Sequence, residues 1–140
     1  KSFKIGSVRL LEGTEKEGDW EKMRSWISNQ KLLIPGEMEA IGTGGNIAKL
    51  FNLSKPTAEE KSMTFDALFE MAAYVGSFSF ADRVNKLRLN TDRADVIVPA
   101  ASIYLTAMEL GGCKTILVPD LGLKDGIIQM LYDRYLNRKK

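Results

Sequence analysis

Apolar residues change their spacing several times along the chain, and each change marks an element. Residues 2–11 carry Phe3, Ile5, Val8, Leu10 and Leu11 among polar neighbours, with Gly6 interrupting the alternation, which predicts a strand. A polar stretch follows to Gly18, and Asp19 stands where a cap would open a helix with Trp20, Met23, Trp26 and Ile27 on one face. Pro35-Gly36 predicts a turn. Residues 38–41 predict a short strand that runs straight into Gly42-Thr43-Gly44-Gly45, and residues 46–50 a helix fading near Asn52. Residues 55–61 form a polar linker. Thr64 is placed to cap a helix that turns Phe65, Leu68, Phe69 and Ala72 inward and stops at Gly76. Ser79 and Asp82 have capping-box spacing for a helix reaching about Lys86.

Residues 95–110 read two ways. Val96-Ile97-Val98 alone has the composition of a strand, whereas Ala100, Ile103, Tyr104, Ala107 and Met108 have helical spacing that Gly111-Gly112 ends. Residues 115–118 predict a strand. Residues 123–136 predict a helix with Ile127, Ile128, Leu131 and Tyr135 inward. Strands therefore alternate with helices, which predicts an α/β domain with helices packed on a sheet. The sheet is thin for such a fold, and strands preceding Lys1 would complete it.

Composition narrows the chemistry. The 140 residues suit one domain with a real core, and a hydrophobic fraction of 44% places the chain among globular rather than disordered proteins. A formal net charge of +2 is too small to argue for a nucleic-acid or membrane surface. The chain has no histidine and a single cysteine, Cys113. That removes Ser-His-Asp, Cys-His and His-metal mechanisms and any internal disulfide. No apolar run reaches spanning length and no signal peptide is visible. With Lys1 rather than Met at its start, the chain reads as part of a longer cytoplasmic protein.

The sharpest local signal is Met38-Glu39-Ala40-Ile41-Gly42-Thr43-Gly44-Gly45-Asn46, where a strand enters a Gly-rich turn and leaves as a helix. Amides at a helix start have no intrahelical partner and suit phosphate oxygens. The same pattern also suits a tight turn that binds nothing, and it matches neither the dinucleotide fingerprint nor a Walker loop. Arg93, between Asp92 and Asp95, is either a fork for phosphate or one half of an internal Arg–Asp pair, and Arg83 beside Asp82 has the same two readings. The pair is the simpler local reading for both. Asp120, at a strand end, could hold a metal or orient water, but its position favours capping the next helix. Gly126 suggests close packing. Cys113 has no activating base and reads as an idle thiol. Arg134, Arg138, Lys139 and Lys140 decorate a helix end.

Taken in order, these segments resemble the exopolyphosphatase and guanosine pentaphosphate phosphohydrolase family. Ser2-Phe3-Lys4-Ile5-Gly6-Ser7-Val8-Arg9-Leu10 resembles the stretch after that family's main Gly-rich phosphate motif, and Ile41-Gly42-Thr43-Gly44-Gly45-Asn46 its later Gly-Gly-Thr loop. Phe80-Ala81-Asp82-Arg83 is similar to its acidic-Arg signature. Arg93-Ala94-Asp95-Val96-Ile97-Val98-Pro99-Ala100 is similar to its Arg-Ala-Asp-Val-Ile block, and Gly122-Leu123-Lys124-Asp125-Gly126-Ile127 to its closing Gly-Leu-Arg-Glu-Gly motif. The match covers nearly the whole chain. Asn46 replaces a common Thr, and Lys124 and Asp125 replace Arg and Glu.

The resemblance implies a ribonuclease-H-like domain of the actin-like ATPase superfamily, with residues 1–140 as the second, C-terminal domain of a two-domain phosphohydrolase. It implies that Val96-Ile97-Val98 is helical, with Pro99 in the first turns. Terminal phosphate would be released from inorganic polyphosphate or guanosine pentaphosphate, with Mg²⁺, in a cleft between the domains. Gly42, Thr43, Gly44, Gly45, Asn46 and Arg93 would hold the substrate. The catalytic residues and most of the Mg²⁺ ligands would belong to the N-terminal domain of the same protein, so that the 140 residues alone would be inactive. The resemblance leaves a homodimer open. Two other readings of the chain are a non-catalytic sensor of a phosphorylated nucleotide on the same fold, and an unrelated α/β interaction module.

Overall fold

The computed structural model describes residues 1–140 apart from Pro35, Ala58, Glu60, Lys139 and Lys140. The turn expected at Pro35 and the end decoration expected of Lys139 and Lys140 lie outside the described residues. The chain runs α1 (Ser7–Glu12), α2 (Glu17–Leu33), β1 (Ala40–Ile41), α3 (Gly45–Leu53), β2 (Ser62–Thr64), α4 (Phe65–Gly76), α5 (Phe80–Asn85), α6 (Thr91–Ala94), α7 (Ile97–Gly111), β3 (Thr115–Leu117) and α8 (Leu123–Asn137).

The three strands form one mixed sheet in the order β1-β3-β2, with β1 parallel and β2 antiparallel to β3. The register places Ala40, Ile116 and Met63 side by side. Because side chains alternate faces along a strand, these three share one face, and Ile116 and Met63 are buried there. The core on that face is Ile47, Leu50 and Phe51 of α3, Leu68 and Val75 of α4, and Ile97, Ala101 and Met108 of α7. Burying each of the larger side chains stabilises the fold by about 1.5–3 kcal/mol. Ile41, on the opposite face, is 67% exposed.

Several sequence signals hold at the level of atoms. The Thr64 hydroxyl accepts from the Ala67 amide at 3.1 Å, and the Ser79 hydroxyl accepts from the Asp82 amide at 3.1 Å. The ambiguous stretch is helical from Ile97, with Pro99 in the first turn, where a missing N–H costs nothing, and Gly112 in the left-handed region at its end.

Other expectations are corrected. Residues 2–11 are not a strand. Residues 7–12 close a short helix, with Leu10 donating to the Gly6 carbonyl and Thr14 to that of Arg9. A strand needs a neighbour to complete its hydrogen bonds, and no described strand pairs with this segment, so local bonds win. Asp19 is not the cap of α2, which opens at Glu17 after Lys16; its amide donates to the Lys16 carbonyl within the first turn. On the face expected of α2, Met23 is buried while Trp26 stays on the surface, tilted against Phe3 at 5.8 Å. Phe69 is exposed, and Val75 with the partly buried Met71 takes its place on the inner face of α4.

The largest correction concerns α8. Ile127, Ile128, Leu131 and Tyr135, expected inward, are all exposed, as are Leu123, Met130, Tyr132 and Leu136. The helix packs extensively against no other described element. Its apolar residues occupy more than half of its circumference, a pattern that belongs to a helix buried between two layers. Asp120 does not cap α8. Gly122 stands at the cap, and its amide donates to the Asp125 carboxylate at 2.7 Å.

Candidate functional site

The Gly-rich segment lies where β1 ends and α3 begins. Gly42 is buried, and its amide donates to the Leu117 carbonyl at 2.8 Å, continuing the β1–β3 pairing. A Cβ there would meet Ile116 Cδ1 at 2.8 Å and Ile47 Cγ1 at 2.9 Å, so only glycine lets the strand leave this close to the core. Thr43, Gly44 and Gly45 are exposed. Gly44, the N-cap of α3, has φ 103° and ψ 167°, a region that is essentially glycine's alone. No side chain caps this helix. The first bond into it runs from the Ala48 amide to the Gly44 carbonyl at 3.2 Å, so the Gly44, Gly45 and Asn46 amides have no partner among the described residues outside the helix. Such an end carries partial positive charge and a cluster of free donors. Ile47, Leu50 and Phe51, all buried, fix the helix behind it.

Arg93 comes to this loop from α6, across 48 residues of sequence. Its Nη1 donates to the Gly45 carbonyl at 3.3 Å, and a Cβ on Gly45 would lie 2.7 Å from the guanidinium carbon. The expected Arg93–Asp pair does not form: neither Asp92 nor Asp95 makes an ion pair with it among the described residues. The glycine at position 45 is what admits the guanidinium against the backbone. Its other N–H groups have no hydrogen-bond partner among the described residues and remain available to an anion.

Arg83, the other candidate, serves the fold. Its Nε donates to the Val75 carbonyl at 3.0 Å, Nη1 to Ala94 at 3.0 Å and Nη2 to Gly76 at 3.4 Å. It closes the end of α4 and ties it to α6, one residue from Arg93. Asp82, expected as its partner, pairs with Lys86 instead at 3.1 Å. A fixed planar fork suits carbonyls converging from two helix ends.

Tyr104 is the residue that sequence reasoning assigned only to helical spacing. Its hydroxyl donates to the Thr43 carbonyl at 3.2 Å, and burial raises its pKa, so it stays a neutral donor. No local pattern signals this contact, because the partners are 61 positions apart. Cys113 has its pKa raised chiefly by burial, which keeps it a protonated thiol. Asp120 is exposed and lines a surface pocket with Ala48, Phe51 and Asn52 of α3.

The loop lies on open surface. A cavity of about 630 Å³ is built elsewhere, from residues 1–4 and α2. Among the described residues no cluster of three His, Cys, Asp or Glu side chains could hold a metal ion. The loop offers N–H groups and a guanidinium, whereas Mg²⁺ takes oxygen ligands. These residues therefore do not fit the cation. No described helix is long and apolar enough to cross a membrane.

The architecture is an α/β domain with a small mixed sheet and helices packed on it. Comparison with solved structures shows that its fold is similar to that of Ppx/GppA phosphatases. An exopolyphosphatase from Cytophaga hutchinsonii superposes with a TM-score of 0.72 at 18% identity, over 95% of this chain and 49% of that one. The Aquifex aeolicus PPX-GPPA enzyme gives 0.66 at 20% identity, over 91% and 48%. The type II variant of the Aquifex aeolicus Ppx/GppA phosphatase gives 0.64 at 20% identity, over 89% and 46%. The chain thus spans about half the length of the structures it matches. No family model matches the sequence, and no curated protein matches it significantly.

Proposed function

We propose that this chain is the substrate-gripping, C-terminal domain of a Ppx/GppA-type phosphohydrolase, which releases terminal phosphate from inorganic polyphosphate or guanosine pentaphosphate. The observation that carries this reading is the pairing of the uncapped start of α3 with the Arg93 guanidinium at the Gly45 carbonyl. Both are electropositive, both are open to solvent, and phosphate oxygens satisfy both. In this reading Gly42, Thr43, Gly44, Gly45 and Asn46 form one wall of a cleft, and the free Gly44, Gly45 and Asn46 amides bind the phosphates; Gly42, whose buried amide is taken by the Leu117 carbonyl, shapes the turn instead of gripping. Arg93 stabilises negative charge beside them. The other wall, with the attacking water, its base and Mg²⁺, belongs to a domain that precedes this one in a longer cytoplasmic protein.

Two features support that division. The matched structures are about twice as long as this chain. The apolar surface of α8 and the open sheet face at Ile41 are what a neighbouring layer would cover.

The test is phosphate release from polyphosphate and from guanosine pentaphosphate, with Mg²⁺, by the longer protein and by the 140 residues alone. Release by the longer protein and none by the shorter is expected, and the better substrate identifies the activity. If the longer protein releases phosphate from neither compound, the enzyme reading fails and a phosphorylated-nucleotide sensor on the same fold replaces it.

A further inference from the structure

We infer that Tyr104 is a positioning residue for the phosphate loop, an inference that deepens the reading above and rests on it. The argument begins with the peptide bond. No peptide bond among the described residues is cis, and in a trans peptide the carbonyl and the following N–H point in opposite directions. A donor that holds a carbonyl therefore aims the next amide away from itself. Tyr104 holds the Thr43 carbonyl at 3.2 Å, so the Gly44 N–H points away from α7. Arg93 holds the Gly45 carbonyl at 3.3 Å, so the Asn46 N–H points away from α6. Two side chains from neighbouring elements thus pin alternate carbonyls of one exposed loop and turn out the amides between them.

The loop needs such a clamp. Gly44 sits in a backbone region that glycine enters and leaves freely, and no side chain caps α3. The peptide between Thr43 and Gly44 would otherwise rotate at little cost and turn its N–H away from a ligand. Tyr104 is half-buried, and α7 is anchored by Ile97, Ala100, Ala101 and Met108, so the hydroxyl is presented from a rigid support. A donor preorganised this way binds an anion more tightly than one that must first be ordered.

Tyr104→Phe removes one oxygen and leaves the ring in place, which spares the packing. The probe is inorganic tripolyphosphate, titrated into the 140-residue protein and its variant, with backbone ¹⁵N relaxation measured on both without ligand. In the variant, the order parameters should fall at Gly44 and its neighbours in the loop and stay unchanged in α4 and α7. Tripolyphosphate should bind about 5- to 10-fold more weakly, the range of one neutral hydrogen bond.

Unchanged loop order parameters, or unchanged affinity with a more mobile loop, would overturn the positioning role. Tripolyphosphate that fails to bind even the unaltered protein would instead sink the phosphate reading itself, and relaxation in the variant would still report whether the clamp exists.

Discussion

Arg93→Ala should lower kcat/KM for phosphate release by the longer protein roughly 10²- to 10³-fold, the range seen when one charge-stabilising donor is removed from an active site. The guanidinium lies against the Gly45 backbone and has no carboxylate partner among the described residues, so its charge is not already neutralised. Stability should change little, because the single bond lost is a long one at an exposed carbonyl. Arg93→Lys should recover only part of the rate, since a point charge does not reproduce the planar fork. Steady-state kinetics with a parallel melting curve separates the two effects. A variant that melts normally and turns over normally would remove Arg93 from the site.

Gly45→Ala should weaken substrate binding by about 10- to 100-fold while leaving the fold as stable as before. A methyl group at this position would stand 2.7 Å from Cζ and from Nη2 of Arg93. That contact is too short to persist, and the yielding partner is the end of a flexible side chain. Arg93 would swing off the loop and take its donors with it, at the cost of a charged hydrogen bond, about 1.5–3 kcal/mol. The helix itself should not object, because alanine is the better helix former by up to about 1 kcal/mol. The outcome differs from that of a core substitution, which lowers melting temperature first. Substrate titration alongside thermal melting reads both numbers, and unaltered affinity would mean that Arg93 does not grip from where it sits.

The contrast between the two halves of this site explains what the sequence could and could not reveal. The loop was legible because its features are local: a short apolar strand, glycines, then a helical run with Ile47, Leu50 and Phe51 on one face. The caps at Thr64 and Ser79 were legible for the same reason, since donor and acceptor are three residues apart. The helix at Ile97 has strand-like opening residues, and only the family resemblance favoured the helix there. Arg93 could be singled out, but its partner could not, because adjacent aspartates make a stronger local suggestion than a carbonyl 48 residues away. Tyr104 carried no signal beyond helical spacing.

The failures share one cause. Residues 2–11 have the pattern of a strand but no described strand pairs with them, and residues 7–12 close a helix instead. The β2 segment at Ser62–Thr64 was missed because only Met63 is buried and pairing with β3, rather than composition, makes it a strand. The face of α8 was expected to be buried because its residues are apolar, yet none of its described residues is buried. Periodicity reports which surface would prefer burial and is silent on what, in this chain, lies over it.

The most direct measurement is a titration of ¹⁵N-labelled protein with inorganic tripolyphosphate, following every backbone amide. The account predicts that Gly44, Gly45 and Asn46 shift together and saturably, that the Arg93 side-chain N–H signals move with them, and that Arg93→Ala abolishes the saturation. Shifts confined to other residues, or no saturable shift at the start of α3, would contradict it.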